Sequence, residues 1–147
     1  MMPALQYSRA GLELTKGFES CRLMAYPDSK GVPTIGYGHT AGVSLGMTCT
    51  QAEADAWLLA DIQTAVAAIN RLVCVSLTQP EFDALVDLVF NIGQGNFASS
   101  TILRLLNAGD YSGAAMHITD WDVCGGHVLA GLLRRRQAET SEFEGKS

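Results

Sequence analysis

Apolar residues recur at spacings of three and four through Ala54, Trp57, Leu58, Ile62, Ala65, Val66 and Ile69, which predicts one long helix. Thr50 and Glu53 stand just ahead of it in the pattern of a capping box. The same arrangement returns at Thr78 and Glu81, with Phe82, Leu85, Val86 and Val89 behind them and Gly93 placed to end the helix. Shorter helical stretches carry Ile102, Leu105 and Leu106 up to Gly109, then run from a cap at Asp110 through Ala114, Ala115 and Ile118. "CGG" at 124–126 is a break, and a last helix is predicted over 129–143.

Ahead of the long helix the period changes. "SRAGLELTKGFES" predicts a short helix with Ser8 as its N-cap and Leu14 and Phe18 on one face. "LMAY" and "VPTIGY" read as two strands around the turn-rich "PDSKG". Pro33 restricts the second strand to an edge or an irregular pairing, because it has no N–H for a ladder. A turn centred near Lys30 brings Thr34 across from Tyr26 and close to Asp28. The chain is therefore expected to be α+β and predominantly helical. A hairpin lobe over 12–49, a connecting helix over 50–71 and a helical lobe over 72–147 would make up a single domain of 147 residues.

Composition narrows the function. Hydrophobic residues are 48% of the chain and charged ones 17%, enough to fill a core. The formal net charge of −5 argues against nucleic acid as a partner and offers an anionic surface no general attraction. There is no run of 18 apolar residues and no signal-peptide core, so cytoplasmic synthesis without stable membrane insertion is expected. Cys21, Cys49, Cys74 and Cys124 include no C-x-x-C pair, which disfavours a structural zinc site. Buried free thiols are the first reading, with one or two disulfides as the alternative.

Two acids in the N-terminal segment invite a chemical reading. Glu19 ends the first predicted helix, where the negative end of the helix dipole disfavours further negative charge and suits a proton donor. Asp28 follows Pro27 in the turn, and turn chemistry alone would account for it. Thr34 is an ordinary strand residue by itself. Together they supply what glycoside hydrolysis needs: an acid on one side of the bond, an ionised carboxylate on the other, and a hydroxyl to orient water.

The Glu19–Asp28–Thr34 spacing within "GLELTKGFES…AYPDSKGVPTIGYGHT" closely resembles that of the bacteriophage lysozyme (endolysin) family, glycoside hydrolase family 24. "LTQPEFDALVDLVFNIG", "LRLLNAGD" and "GLLRRRQAE" extend the resemblance over nearly the whole chain. It implies a lysozyme-like fold and cleavage of peptidoglycan between N-acetylmuramic acid and N-acetylglucosamine, with lysis of a bacterial host. Glu19 would be the general acid, Asp28 the second carboxylate, and Thr34 would help it place the water. Direct water attack with inversion is favoured over a covalent intermediate. Thr40 and Phe90 match positions that line the sugar cleft in relatives, although Phe90 is equally well explained as core.

The resemblance also implies a structural ion pair between His39 and Asp61, tying the hairpin lobe to the long helix. Arg134, Arg135 and Arg136 read by default as solvated helix surface, with one of them approaching Glu19 as the alternative. No metal or organic cofactor is implied. The enzyme would act as a monomer on the glycan strand of the periplasmic cell wall, and a holin lesion would give it access. A lytic transglycosylase and a non-catalytic wall-binding module are the rival readings. The Asp28 and Thr34 matches count against the first and the intact acid pair against the second.

Overall fold

A computed structural model describes residues 4–124 and 126–146; the side chains of Cys124 and His127 are outside that description. The chain divides into two compact units, Glu13–Thr64 and Met1–Leu12 with Ala65–Ser147. The unit boundaries fall inside two helices. Helix α1 (Arg9–Phe18) gives its first turn to one unit and the rest to the other, and the long helix α2 (Gln51–Leu72) is divided after Thr64.

In the Glu13–Thr64 unit, strands β1 (Arg22–Pro27) and β2 (Pro33–Gly36) form an antiparallel pair that matches Tyr26 to Thr34 and Pro27 to Pro33. The register is irregular between Arg22 and Tyr26. Periodicity did not predict the further pairing of β1 with the segment before α2. Met24 bridges Thr48, Ala25 N–H donates to the Met47 carbonyl and Cys49 N–H to that of Leu23. Thr50 and Glu53 cap α2 reciprocally: Thr50 N–H reaches Glu53 Oε1 at 2.9 Å and Glu53 N–H reaches Thr50 Oγ1 at 3.1 Å. Ala54, Leu58 and Ile62 form the buried stripe of α2 in this unit, where Ile35 is also buried. Each large aliphatic side chain buried in this way contributes roughly 1.5–3 kcal/mol.

The helical unit is built around α3 (Gln79–Ile92), which packs on α7 (Ala130–Phe143). Thr78 and Glu81 close a full capping box on α3, and Gly93 ends it at φ 91, a conformation that favours glycine. α5 (Thr101–Asn107) and α6 (Tyr111–Met116) are capped by Ser100 and Asp110. Three elements were not expected: α4 (Gln94–Ala98), a 3-10 turn at Ile118–Trp121, and a two-residue antiparallel pair, β3 (Val123–Cys124) with β4 (His127–Val128), at the predicted break. All are too short to show a period. Phe82, Leu85, Leu88, Phe97, Ile102, Leu106 and Ile118 are buried in this unit.

The arginine run departs from the default expectation. Arg134 is exposed, but Arg135 and Arg136 are buried. Arg135 clasps Asp87 of α3 with Nε to Oδ2 and Nη2 to Oδ1, both at 2.9 Å, and Arg136 Nη2 reaches Glu139 Oε2 at 2.7 Å. Buried charges persist only when paired in this way. Burial pushes the Glu139 carboxyl well above the usual carboxylate range, and Asp87 adds to this, while Arg136 and Arg135 oppose it.

A raised folded value means that the native state holds this proton more tightly than the unfolded chain. Its stabilisation is complete below the ordinary glutamate value of about 4.3 and fades as pH rises toward the folded value. Glu139→Gln cannot titrate, so its urea-unfolding free energy should depend less steeply on pH above that point. Parallel wild-type and variant curves would contradict the assignment.

Candidate active site

Glu19 follows the last residue of α1, and its N–H donates to the Thr15 carbonyl at 2.9 Å, so it continues the final helical turn. The side chain is half-buried. Nine residues on, Asp28 shapes the hairpin turn. Its Oδ1 accepts from the N–H groups of Lys30 at 2.8 Å and Val32 at 2.9 Å, and its own N–H and carbonyl join Val32 and Gly31. This is Asx-turn chemistry. It fixes the carboxylate through one oxygen, and among the described residues no hydrogen bond falls on Oδ2.

Thr34 is buried on β2, and its hydroxyl donates to the Val32 carbonyl at 2.9 Å. With its single proton so committed, Oγ1 meets another molecule as an acceptor. Asp28 and Thr34 are therefore linked through Val32, whose N–H serves one and whose carbonyl serves the other.

The turn after β2 holds the other expected residues. Ile35 and His39 exchange both backbone hydrogen bonds, each at 2.9 Å, and close the loop Gly36-Tyr37-Gly38. His39 Nδ1 lies 2.8 Å from Asp61 Oδ2 on α2, and its ring stacks on Trp57 with centroids 4.7 Å apart and planes 6° from parallel. On the far side of the same loop, Gln51 Nε2 donates to the Tyr37 hydroxyl at 3.1 Å. Lys16 lies 5.6 Å from the Tyr37 ring centroid and 3.3 Å from Asp55. The hydrogen bond from Gln51 holds the Asp55 carboxyl below its usual range; the cost of burial opposes it, and the Lys16 ammonium adds to the lowering.

Thr40 is exposed immediately beyond His39, and Phe90 is half-buried on α3 of the helical unit. Glu19, Asp28, Thr34, His39, Thr40 and Asp61 all belong to the Glu13–Thr64 unit. Trp57 was missed as a site residue because its spacing marks it as core. Only the stacking on His39 distinguishes it.

The three described thiols are free, as the first reading has it, but none is fully buried. Cys21 and Cys49 are half-buried and Cys74 is exposed. Desolvation, then Glu53 and Cys21, push the Cys49 thiol up. The pairing state of Cys124 lies outside the described residues. In the helical unit, Thr101, Ile102, His117, Asp120 and Trp121 line a hollow of about 170 Å³, with His117 Nδ1 2.7 Å from Asp120 Oδ2. That is smaller than the several hundred Å³ usual for an organic ligand site.

The fold is that of the lysozymes. The muramidase domain of SpmX from Asticaccaulis excentricus superposes with a TM-score of 0.89 at 44% identity, over 94% of this chain and 97% of that one. A phage P22 lysozyme variant gives 0.87 at 42% identity, over 95% and 99%. The endolysin of Acyrthosiphon pisum secondary endosymbiont phage 1 is 44% identical over 144 residues, 95% of this chain and 99% of the relative. The phage lysozyme profile matches residues 16–139. The chain belongs to the phage lysozyme family and is a hydrolase of the muramidase type.

Asp61→Asn removes the charged partner of His39 and leaves the Trp57 stack. A loss of roughly 1.5–3 kcal/mol is expected for a hydrogen bond to a charged group, measured by urea unfolding. Unchanged stability would show that the charge on Asp61 is not needed to hold the turn.

Proposed function

We propose that this chain is an endolysin that hydrolyses the β-1,4 bond between N-acetylmuramic acid and N-acetylglucosamine in peptidoglycan. The observation that carries the reading is the pair of acids in unlike settings within one unit of a phage lysozyme. Glu19 ends a helix, while Asp28 is held through one oxygen by two backbone amides beside a buried threonine.

Glu19 serves as the general acid and delivers its proton to the glycosidic oxygen as the bond breaks. Asp28, as carboxylate, takes a proton from the attacking water through Oδ2, the oxygen that its turn leaves available. Thr34 Oγ1 accepts a hydrogen bond from the same water and so aims its lone pair at the anomeric carbon. Each water proton then has an acceptor, and neither group needs to form a bond to the sugar. Direct attack of this kind inverts the anomeric centre. Thr40 and Phe90 are assigned to sugar binding, and the His39–Asp61 pair to holding the turn.

No helix among the described residues is long and apolar enough to cross a membrane. The enzyme is synthesised in the host cytoplasm, acts as a monomer and reaches the periplasmic wall through a holin lesion. Expression in host cells should leave a culture turbid until the membrane is permeabilised, and prompt lysis without permeabilisation would refute the need for a lesion.

Digestion of purified peptidoglycan followed by mass spectrometry tests the reaction. Reducing ends are expected. 1,6-Anhydro ends would identify a lytic transglycosylase, and no released fragment a wall-binding module. Glu19→Gln should lower kcat by roughly 10²–10⁴-fold, the usual contribution of a positioned proton donor, with the fold intact by circular dichroism. Turnover near the wild-type rate would remove Glu19 from the role of acid.

A further inference from the structure

The two glycines of the Gly36-Tyr37-Gly38 loop are required for different reasons. A Cβ at Gly36 would lie 3.2 Å from Ala54 Cβ and 3.4 Å from its Cα, so this glycine lets the loop rest against α2. A Cβ at Gly38 would lie 3.2 Å from one atom alone, Glu19 Oε1. That spacing is tighter than ordinary van der Waals contact, so any side chain at 38 would have to displace the carboxylate by a few tenths of an ångström. The loop itself cannot easily yield. It is closed by the paired Ile35 and His39 bonds, and His39 is held by Asp61 and Trp57. The Tyr37 hydroxyl is held by Gln51. The atom that a Cβ at 38 would crowd is the end of the Glu19 side chain, not backbone.

We infer that Gly38 is a positioning residue for the reaction: the absence of a side chain there leaves the Glu19 carboxylate the place it occupies. What the loop requires at position 38, next to the proton donor, is the lack of a Cβ. The inference builds on the assignment of Glu19 as the acid. Proton transfer is sensitive to such placement, because a misplacement of about 1 Å can cost on the order of a hundredfold in rate.

Backbone strain has to be separated from displacement, since Gly38 has φ 83. Gly46 has φ 94, and a methyl added there would meet nothing within 4 Å, so Gly46→Ala carries comparable strain without the contact. Gly38→Ala is expected to lower kcat on peptidoglycan by roughly tenfold, with KM little changed and the pH–rate profile shifted. Gly46→Ala should lose thermal stability while keeping kcat and the profile. If kcat and pH profile of Gly38→Ala, corrected for folded fraction, match those of Gly46→Ala, the inference is overturned.

A stability cycle reads the contact without using activity. Removing the carboxylate by Glu19→Ala should make Gly38→Ala cost less in Tm than it does in the wild-type background. An equal cost in both backgrounds, or failure to fold in both, would show that the carboxylate is not what position 38 must avoid. If Glu19→Gln stays active while the Tm coupling is present, the assignment of the acid fails and the spatial relation stands.

Discussion

The hairpin unit depends on how His39 is held. One side chain satisfies two constraints of different physical kinds: a hydrogen-bonded contact with Asp61 at 2.8 Å and a near-parallel stack on Trp57. The first is directional and electrostatic, and the second is broad and dispersive. Both partners lie on α2, four residues apart and so on one face. Because His39 also closes a backbone ring with Ile35, fixing its imidazole fixes the loop between them, and β2 with Thr34 leads directly into that loop. The same pin holds Gly38, where an added Cβ would lie 3.2 Å from Glu19 Oε1.

The helical unit solves a different problem. Its central helix buries two acids, Asp83 and Asp87, among the apolar residues of α3. Each is hydrogen-bonded to side chains of other residues. Ser8, at the start of α1, donates both its N–H and its hydroxyl to Asp83, and Gln79 adds a third bond at 2.8 Å. A Cβ at Gly11 would come within 2.8 Å of Asp83 Cγ, so a glycine is needed for the first turn of α1 to approach. Asp87 is clasped by Arg135, with the Arg136–Glu139 pair on the same helix. Such clusters add little net stability compared with an apolar core, but breaking one is costly, because it leaves a buried charge without its partner.

Much of the fold was legible in the chain. Periodicity and capping boxes located α2 and α3 because each is long enough for its buried stripe to repeat several times, and α7 was located by the break at 124–126 ahead of it. The hairpin was legible through its turn residues, and the turn length set Tyr26 opposite Thr34. The 3-10 turn and the β3–β4 pair were not, since two to four residues carry no period. Nor was the Met24–Thr48 bridge, which depends on where a loop returns rather than on local preference. Arg135 and Arg136 show the limit most clearly. By composition a triple arginine is surface, and only the presence of Asp87 on the facing helix and of Glu139 three residues on makes burial of two of them tolerable.

For the site, the order of residues alone settled their types and spacing: an acid at a helix end, an aspartate in a turn, a threonine on the returning strand. These are local properties, set by periodicity, turn chemistry and a two-residue pleat. Which groups meet was left to tertiary packing. It brought Asp61 and Trp57 to the two sides of one imidazole and gave both polar groups of Val32 to the Asp28–Thr34 pair. It also made Gly38, inconspicuous in the chain, the neighbour at which a side chain would crowd Glu19 Oε1. Such contacts are set by distances between elements separated in sequence, and short-range packing forces act on those distances at the scale of tenths of an ångström.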